Sequence, residues 1–249
     1  MNFRRIFPFL FPALLMLPGS VSSESLTYRL GLSLVGRGIG AGTCVLSERD
    51  ILYEGRDAVC MQMTMTTGKL ADLVFMMRDT ITSVQTPDGI PIHYCKTVNE
   101  KSTHNVETAD FNFSAEGCGV RLLVNSNGRE VYNRYEIWKG KVYDMLSLLK
   151  YARTVNSSGK EAGYVIKLAM VNGEQVVMQH IVYEGNENIR DEAGNRHNCL
   201  RLSIRDYKYG SERETLKIYV TDDSEHIPVR LDIILKGITI RAVLAKISN

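Results

Sequence analysis

The alternation of apolar and polar residues does most to narrow what this chain can fold into. In TYRLGLSLV, Tyr28, Leu30, Leu32 and Leu34 fall on one face of an extended chain, and in VCMQMTM so do Val59, Met61, Met63 and Met65. Successive side chains of a strand point to opposite faces, so a period of two marks a half-buried β-strand. YVIKLAMVNGEQVVMQHIVY reads as a hairpin, with Asn172-Gly173 supplying the positive φ angles of a type I′ turn. GVRLLVNSNGREVYNRYEIW reads as a second, turning at Asn127-Gly128. CLRLSIRDY, TLKIYVTDD, PVRLDIILK and TIRAVLAKI follow, separated by short turn signals. Such regular spacing predicts a mainly β fold, a curved antiparallel sheet forming an open barrel or a clam-like sandwich. No internal repeat or Pro/Gly-rich linker divides the chain, so residues 24–249 are expected to form a single β-rich domain.

Two segments break the alternation. GKLADLVFMM places Leu70, Leu73, Val74 and Met77 at helical spacing. VYDMLSLLKYART does the same with Val142, Met145, Leu146 and Leu149, with Asp144 placed to cap the start and Lys150 and Arg153 in the last turns. Helices this short are marginal alone and must be held by packing. The expectation is two short helices on the concave face of the sheet, closing its core.

The amino terminus reads as an export signal. MNFRR is basic, IFPFLFPALLML is apolar, and GSVSSES offers Val21 and Ser23 at the −3 and −1 positions before Glu24. The run is short and broken by Pro8 and Pro12, whereas a spanning helix needs roughly 20 apolar residues. The first cysteine is Cys44, too far on for a lipobox. The expected product is periplasmic, cleaved near Ser23, with no membrane-spanning segment in the mature chain. Of 30 basic side chains two, Arg4 and Arg5, fall in the signal, and 28 acidic ones oppose the rest. That balance leaves no electrostatic footprint for nucleic acid. The five cysteines, Cys44, Cys60, Cys95, Cys118 and Cys199, match neither a redox nor a zinc spacing, and their pairing stays open. The simplest reading makes most of them buried small hydrophobes.

MMRDTITSVQ with Pro91 after it, VYDMLSLLKYAR, AGNRHNCLRL, IYVTDDSEHIPVRL and KGITIRAVL come in one order along the chain. Together they resemble a bacterial family catalogued as domain of unknown function 3108, the second and fourth segments being the specific ones. The sequence departs from the family pattern at Tyr219, where a Trp is common, and at Lys150, where the residue is more often aromatic or apolar. The resemblance implies an exported, mostly β protein of the cell envelope and carries no activity with it.

Few constellations point to chemistry. Gly36-x-Gly38-x-x-Ala41 has the form of a dinucleotide fingerprint, but a strand-like stretch follows it instead of a helix, so it reads as a glycine-rich bend. Met61, Met63 and Met65 could offer sulfur to copper, yet they continue an apolar face with no His or Cys on it and read as core. Thr221 to His226 is dense in oxygen, but Asp222 and Asp223 lack the alternate spacing of a calcium loop and suit a turn. No Gly-x-Ser-x-Gly elbow occurs, and His93, His104, His180, His197 and His226 are scattered. The polar positions singled out, structural or functional, are Asp144, Ser147, Arg153, Asp222, Asp223 and Arg230. No catalytic, metal or cofactor set is assigned.

The leading reading is a non-catalytic envelope protein whose curved sheet binds an apolar small molecule, a lipid or another envelope protein. The alternatives are a periplasmic hydrolase acting on envelope polymers, or a structural assembly factor with an exposed patch or sheet edge.

Overall fold

The computed structural model describes residues 23–34, 37–72, 76–100, 103–208, 211–235 and 238–248. The expected export signal up to residue 22, Gly36, Leu73, Val74 and the side chains of Leu34 and Leu70 lie outside the described residues. The chain opens with β1 (Ser23–Leu34), β2 (Arg37–Tyr53) and β3 (Arg56–Thr67), then a single helical turn, α1 (Lys69–Asp72). There follow β4 (Arg78–Gln85), β5 (Pro91–Glu100), β6 (Thr103–Ser114), β7 (Gly117–Ser126), β8 (Arg129–Trp138) and the two-residue β9 (Val142–Tyr143). Helix α2 (Met145–Ala152) precedes β10 (Val165–Asn172), β11 (Gln175–Arg190), β12 (Arg196–Lys208), β13 (Ser211–Thr221), β14 (Pro228–Leu235) and β15 (Ile238–Ser248).

All strands belong to one 15-stranded sheet, ordered β8-β7-β6-β5-β4-β3-β2-β1-β15-β14-β13-β12-β11-β10-β9. Neighbours are antiparallel throughout, except that β9 runs parallel to β10. The first and last long strands meet in the middle, β1 against β15, with Leu30 opposite Ala242. The sheet curls into a barrel that stops just short of closure. Its two edges, β8 and β9, are joined by three residues, and Glu136 on β8 accepts from the Val176 N–H of β11 at 3.4 Å. Register shifts, as between Leu30 and Gly31 or Tyr183 and Asn186, mark bulges, which add the bend a curling sheet requires.

The alternation places Leu26, Tyr28 and Leu30 of β1 in one core with Leu200 and Leu202 of β12 and Ile218 of β13. The methionine stripe joins that core, Met61 and Met63 buried and Met65 packed against it. Cys44, Cys60, Cys118 and Cys199 are buried, and all five cysteines are free thiols; burial pushes the thiols of Cys44 and Cys199 up to about 12. The glycine run does mark a bend: at Gly42, φ +156°, a Cβ would stand 2.0 Å from the Thr66 carbonyl oxygen. Backbone passes so close there that only hydrogen fits.

Two expectations need correction. Over the described residues the first helix is a single turn, closed by Asp72 N–H donating to the Gly68 carbonyl at 2.9 Å, and Met77 of its stripe is buried just before β4. Arg78, the first residue of β4, ties to it through two terminal nitrogens that donate to the Asp72 carboxylate at 3.2 and 2.7 Å. The structure therefore has one helix of any length among the described residues. The hairpin of β10 and β11 exists, but its two-residue loop is Gly173-Glu174, with only Gly173 at positive φ. That is the pattern of a turn with Gly at its first central position. Moving the loop one residue along the chain shifts the pairing by two, so Val171 stands opposite Val176, both buried, instead of opposite Glu174. Both registers keep every side chain on its own face, and the apolar pairing of Val171 with Val176 outweighs the Asn-Gly preference. At Asn127-Gly128 both φ angles are positive and the expected turn is found.

Candidate functional site

Helix α2 packs on β3 and β4 and also on β10. It therefore lies between strands far apart in the sheet order. Leu146, Ser147, Leu148, Leu149 and Ala152 are all buried, an enclosure wider than an amphipathic stripe. Its start is fixed by Asp144, whose Oδ1 accepts from the N–H groups of Leu146 at 2.8 Å and Ser147 at 2.9 Å. The Ser147 hydroxyl accepts in return from the Asp144 N–H at 2.8 Å, a reciprocal cap. From β4, Ser83 donates to Asp144 Oδ2 at 2.7 Å, and the Gln85 amide donates to Ser83 at 3.0 Å. Burial pushes the Asp144 carboxyl above its ordinary 3.8, while the Ser147, Ser83 and Leu146 donors oppose that rise. Asp144, Ser147, Ser83 and Gln85 are all shut off from solvent. A substrate cannot reach them in this state, and their geometry is that of a clamp between helix and strand.

The far end of α2 is tied down by Arg153. Its Nη1 pairs with Glu24 at 2.9 Å, and its Nε donates to the His226 carbonyl at 3.0 Å. His226 belongs to the β13–β14 turn, which Asp223 organises by accepting from the Thr221 hydroxyl at 2.7 Å and from the Glu225 and His226 N–H groups at 3.0 and 3.2 Å. Asp222, exposed beside it, accepts from the Asn186 amide at 2.8 Å. Arg230 stands apart, 4.6 Å above the Tyr219 ring and paired with the buried Asp232, which also receives Arg241 at 2.9 Å. Burial alone would raise the Asp232 carboxyl; Arg230 and Arg241 hold it below the ordinary value. Thus Arg153 meets the turn of Asp222 and Asp223, Asp144 and Ser147 cap the opposite helix end, and Arg230 belongs to neither group. The two departures from the family pattern also find partners: Tyr219 lies under Arg230, and Lys150 pairs with Glu48 at 2.6 Å.

A cleft among the described residues lies elsewhere, at the seam. Strand β9 covers only Ala169 and Met170 of β10, so no strand pairs with residues 165–168 along that edge. Beside them lies a cleft of about 450 Å3. Trp138, Tyr143, Tyr151, Leu168 and Met178 wall it, the Tyr143 and Tyr151 rings meeting at 5.4 Å. Ile166 and Ala169 of β10 line it too, and Lys139, Lys141 and Lys167, all exposed, complete its lining. Its volume falls in the range of small-molecule sites, which are concave, mostly apolar and punctuated by a few polar groups. Sequence reasoning missed these residues. The signal that could have found them is IWKGKVY, where the chain's one tryptophan sits among lysines between the last strand of one run and the helix. Among the described residues no group of three His, Cys, Asp or Glu gathers to hold a metal, and no helix is long and apolar enough to cross a membrane.

A family model described as "Protein of unknown function (DUF3108)" matches residues 25–243. The chain belongs to the DUF3108 family. Its fold is similar to a β-barrel-like protein of domain of unknown function DUF1849 from Brucella abortus, with a TM-score of 0.59 at 12% identity, over 91% of this chain and 97% of that one. At that identity the likeness is one of fold alone. A protein with a YmcC-like fold from Bacteroides fragilis aligns over 91% of this chain and 95% of its own, at 9% identity and a TM-score of 0.33. Among proteins of curated function, none matches the sequence. For this DUF3108 protein, then, function has to be argued from the seam and its cleft.

Proposed function

We propose that this DUF3108 protein is an exported, non-catalytic binding protein of the cell envelope that holds an apolar small molecule in the seam cleft. The observation that carries the reading is the cleft itself, about 450 Å3 walled by aromatic and aliphatic side chains where the sheet leaves β10 uncovered. Among the described residues the barrel's own side chains form one extended core, and the seam offers a ligand an entry without unfolding a strand. Export supplies the setting: the basic, apolar and small-residue order of residues 1–23 is that of a cleavable signal, and an envelope compartment is rich in acyl chains.

Purification without detergent, followed by organic extraction and mass spectrometry, tests the reading. A bound apolar molecule should leave with the wild-type protein and be missing from the cleft-filling variant Ile166→Trp, whose melting should stay near wild type. Wild-type protein that repeatedly yields no such molecule, and takes up none when offered acyl chains, would sink the proposal. Edman sequencing of exported material should begin near Glu24. A second reading, docking of another envelope protein, is favoured by one feature: Val131, Tyr135 and Ile137 lie exposed on edge strand β8. A photo-crosslinker at position 137 should then capture one discrete partner in cells, and no adduct above background would remove it.

A further inference from the structure

We propose that the cleft is built for one chemical class, a single-chain amphiphile with an anionic head, carboxylate or phosphate. This rests on the ligand-cleft reading above and goes beyond it by assigning polarity and orientation. Apolar and aromatic side chains, Trp138, Tyr143, Tyr151 and Leu168, form one part of the lining and three cations form the other. Lys139 and Lys141 flank Gly140, at φ +87°, in the three-residue link from β8 to β9. Lys167 comes from β10, on the uncovered stretch of its edge. No carboxylate appears in the lining, and these three lysines make no ion pair within 4 Å among the described residues, whereas Lys96, Lys150 and Lys217 each have one; the nearby Asp88 carboxylate feels the charge of Lys141 without pairing with it. The neighbouring Glu136 has one carboxylate oxygen committed, accepting from the Trp138 indole N–H at 3.2 Å and from the Val176 N–H.

Three cations around one apolar cleft, in a chain whose charges otherwise balance, are a local excess of positive charge where none is needed for solubility. An apolar occupant would bury its tail against the aromatic wall and gain nothing from the lysines. A neutral head would be poorly matched, and a cationic one repelled. An anionic head accepts from the ammonium groups while its chain leaves water, so both parts of the lining are used. A double-chained lipid needs about twice the apolar volume for the same head; a single chain fits the cleft better.

The chain's one tryptophan lines the cleft, so intrinsic emission reports occupancy directly. Decyl phosphate and decanol share a tail and differ in the head. Both are titrated below their aggregation limits into the full mature protein, while Trp138 emission is followed. Wild type should bind decyl phosphate more tightly than decanol, on the order of ten-fold at low salt, because three exposed pairs each add a modest increment. Added salt should narrow that gap. In the combined variant Lys139→Gln, Lys141→Gln, Lys167→Gln the preference should vanish while decanol affinity and melting temperature hold. Equal affinities in wild type, or an undiminished preference in the variant, would overturn the anionic assignment and leave the ligand-cleft reading standing. If neither compound shifts Trp138 emission saturably, the ligand-cleft reading itself falls.

Discussion

Asp144 is a carboxylic acid placed where charge is expensive, and its chemistry can be separated from its geometry. Burial, opposed by its hydrogen-bond donors, leaves its folded pKa above the unfolded value. A raised pKa means the folded state favours the protonated form. Its contribution to stability is therefore full below the unfolded value, near 3.8, and is lost as pH rises through the folded one. Asp144→Asn keeps a capping oxygen and removes the buried charge, so its melting temperature should equal or exceed wild type, with the gain larger well above pH 3.8 than below it. Asp144→Ala instead strands the Ser83 hydroxyl and two helix N–H groups, and should cost at least about 2 kcal/mol. Paired melts decide; an Asn variant that falls as far as the Ala variant would mean the charge itself is needed. The cap was legible from Asp144-x-x-Ser147, three residues apart. Its partner Ser83 was not, because only the folded sheet brings β4 under the helix. Gly42 gives a second residue-scale test. Gly42→Ala would drive a Cβ into the Thr66 carbonyl and should cost several kcal/mol, or prevent folding. Gly40→Ala, with nothing within 4 Å of its Cβ, should melt close to wild type, and similar melts for the two variants would contradict the close approach.

At the scale of elements, α2 separates what periodicity can say from what it cannot. The stripe of Leu146 and Leu149 was readable because one face of the helix meets an apolar surface, and both are buried. Leu148 lies off that stripe, yet it is buried to 2% exposure, in a helix that packs on β10 as well as on β3 and β4. No local pattern can announce a second covering layer. Leu146→Ala should cost roughly 2–5 kcal/mol, the range for a buried leucine in a cavity that cannot collapse. Leu148→Ala should cost a comparable amount. Denaturant melts of the two test the enclosure: if only Leu146→Ala destabilises, the helix is one-sided and does not sit between the halves of the sheet. The hairpin of β10 and β11 carries the same lesson. Asn172-Gly173 has the right local chemistry, but the pairing of Val171 with Val176 is decided by the core.

The whole molecule is one sheet wound from the middle outward. β1 to β8 extend in one direction and β15 back to β10 in the other, the two series joined where β1 pairs with β15. Strand identity and mainly β character were readable from the alternation, because each strand carries its own period. The closing pair was not, since β1 and β15 lie at opposite ends of the sequence, and neither was the seam, which is defined by a partner that fails to cover an edge. This arrangement makes a prediction about the unit of folding. The two series share a core: Leu26 and Tyr28 of β1 belong to the same buried cluster as Ile218 of β13. The Tyr28 hydroxyl also donates across the series to the Pro228 carbonyl at 2.9 Å. Neither series can bury its apolar face alone, so residues 24–249 should unfold as one cooperative unit. The connection between α2 and β10, residues 156–163, is mostly exposed and is where a protease should cut first. Nicked protein should keep both fragments together on a sizing column and melt in one transition, because the β1–β15 pairing and the shared core survive the cut. Hydrogen exchange should be slowest in β1, β2 and β15 and fastest in β8 and at residues 165–168 of β10, where the sheet has an uncovered edge. Two fragments that separate and each melt cooperatively would show two domains where one sheet is expected, and the seam would then be a boundary between them instead of a site within one.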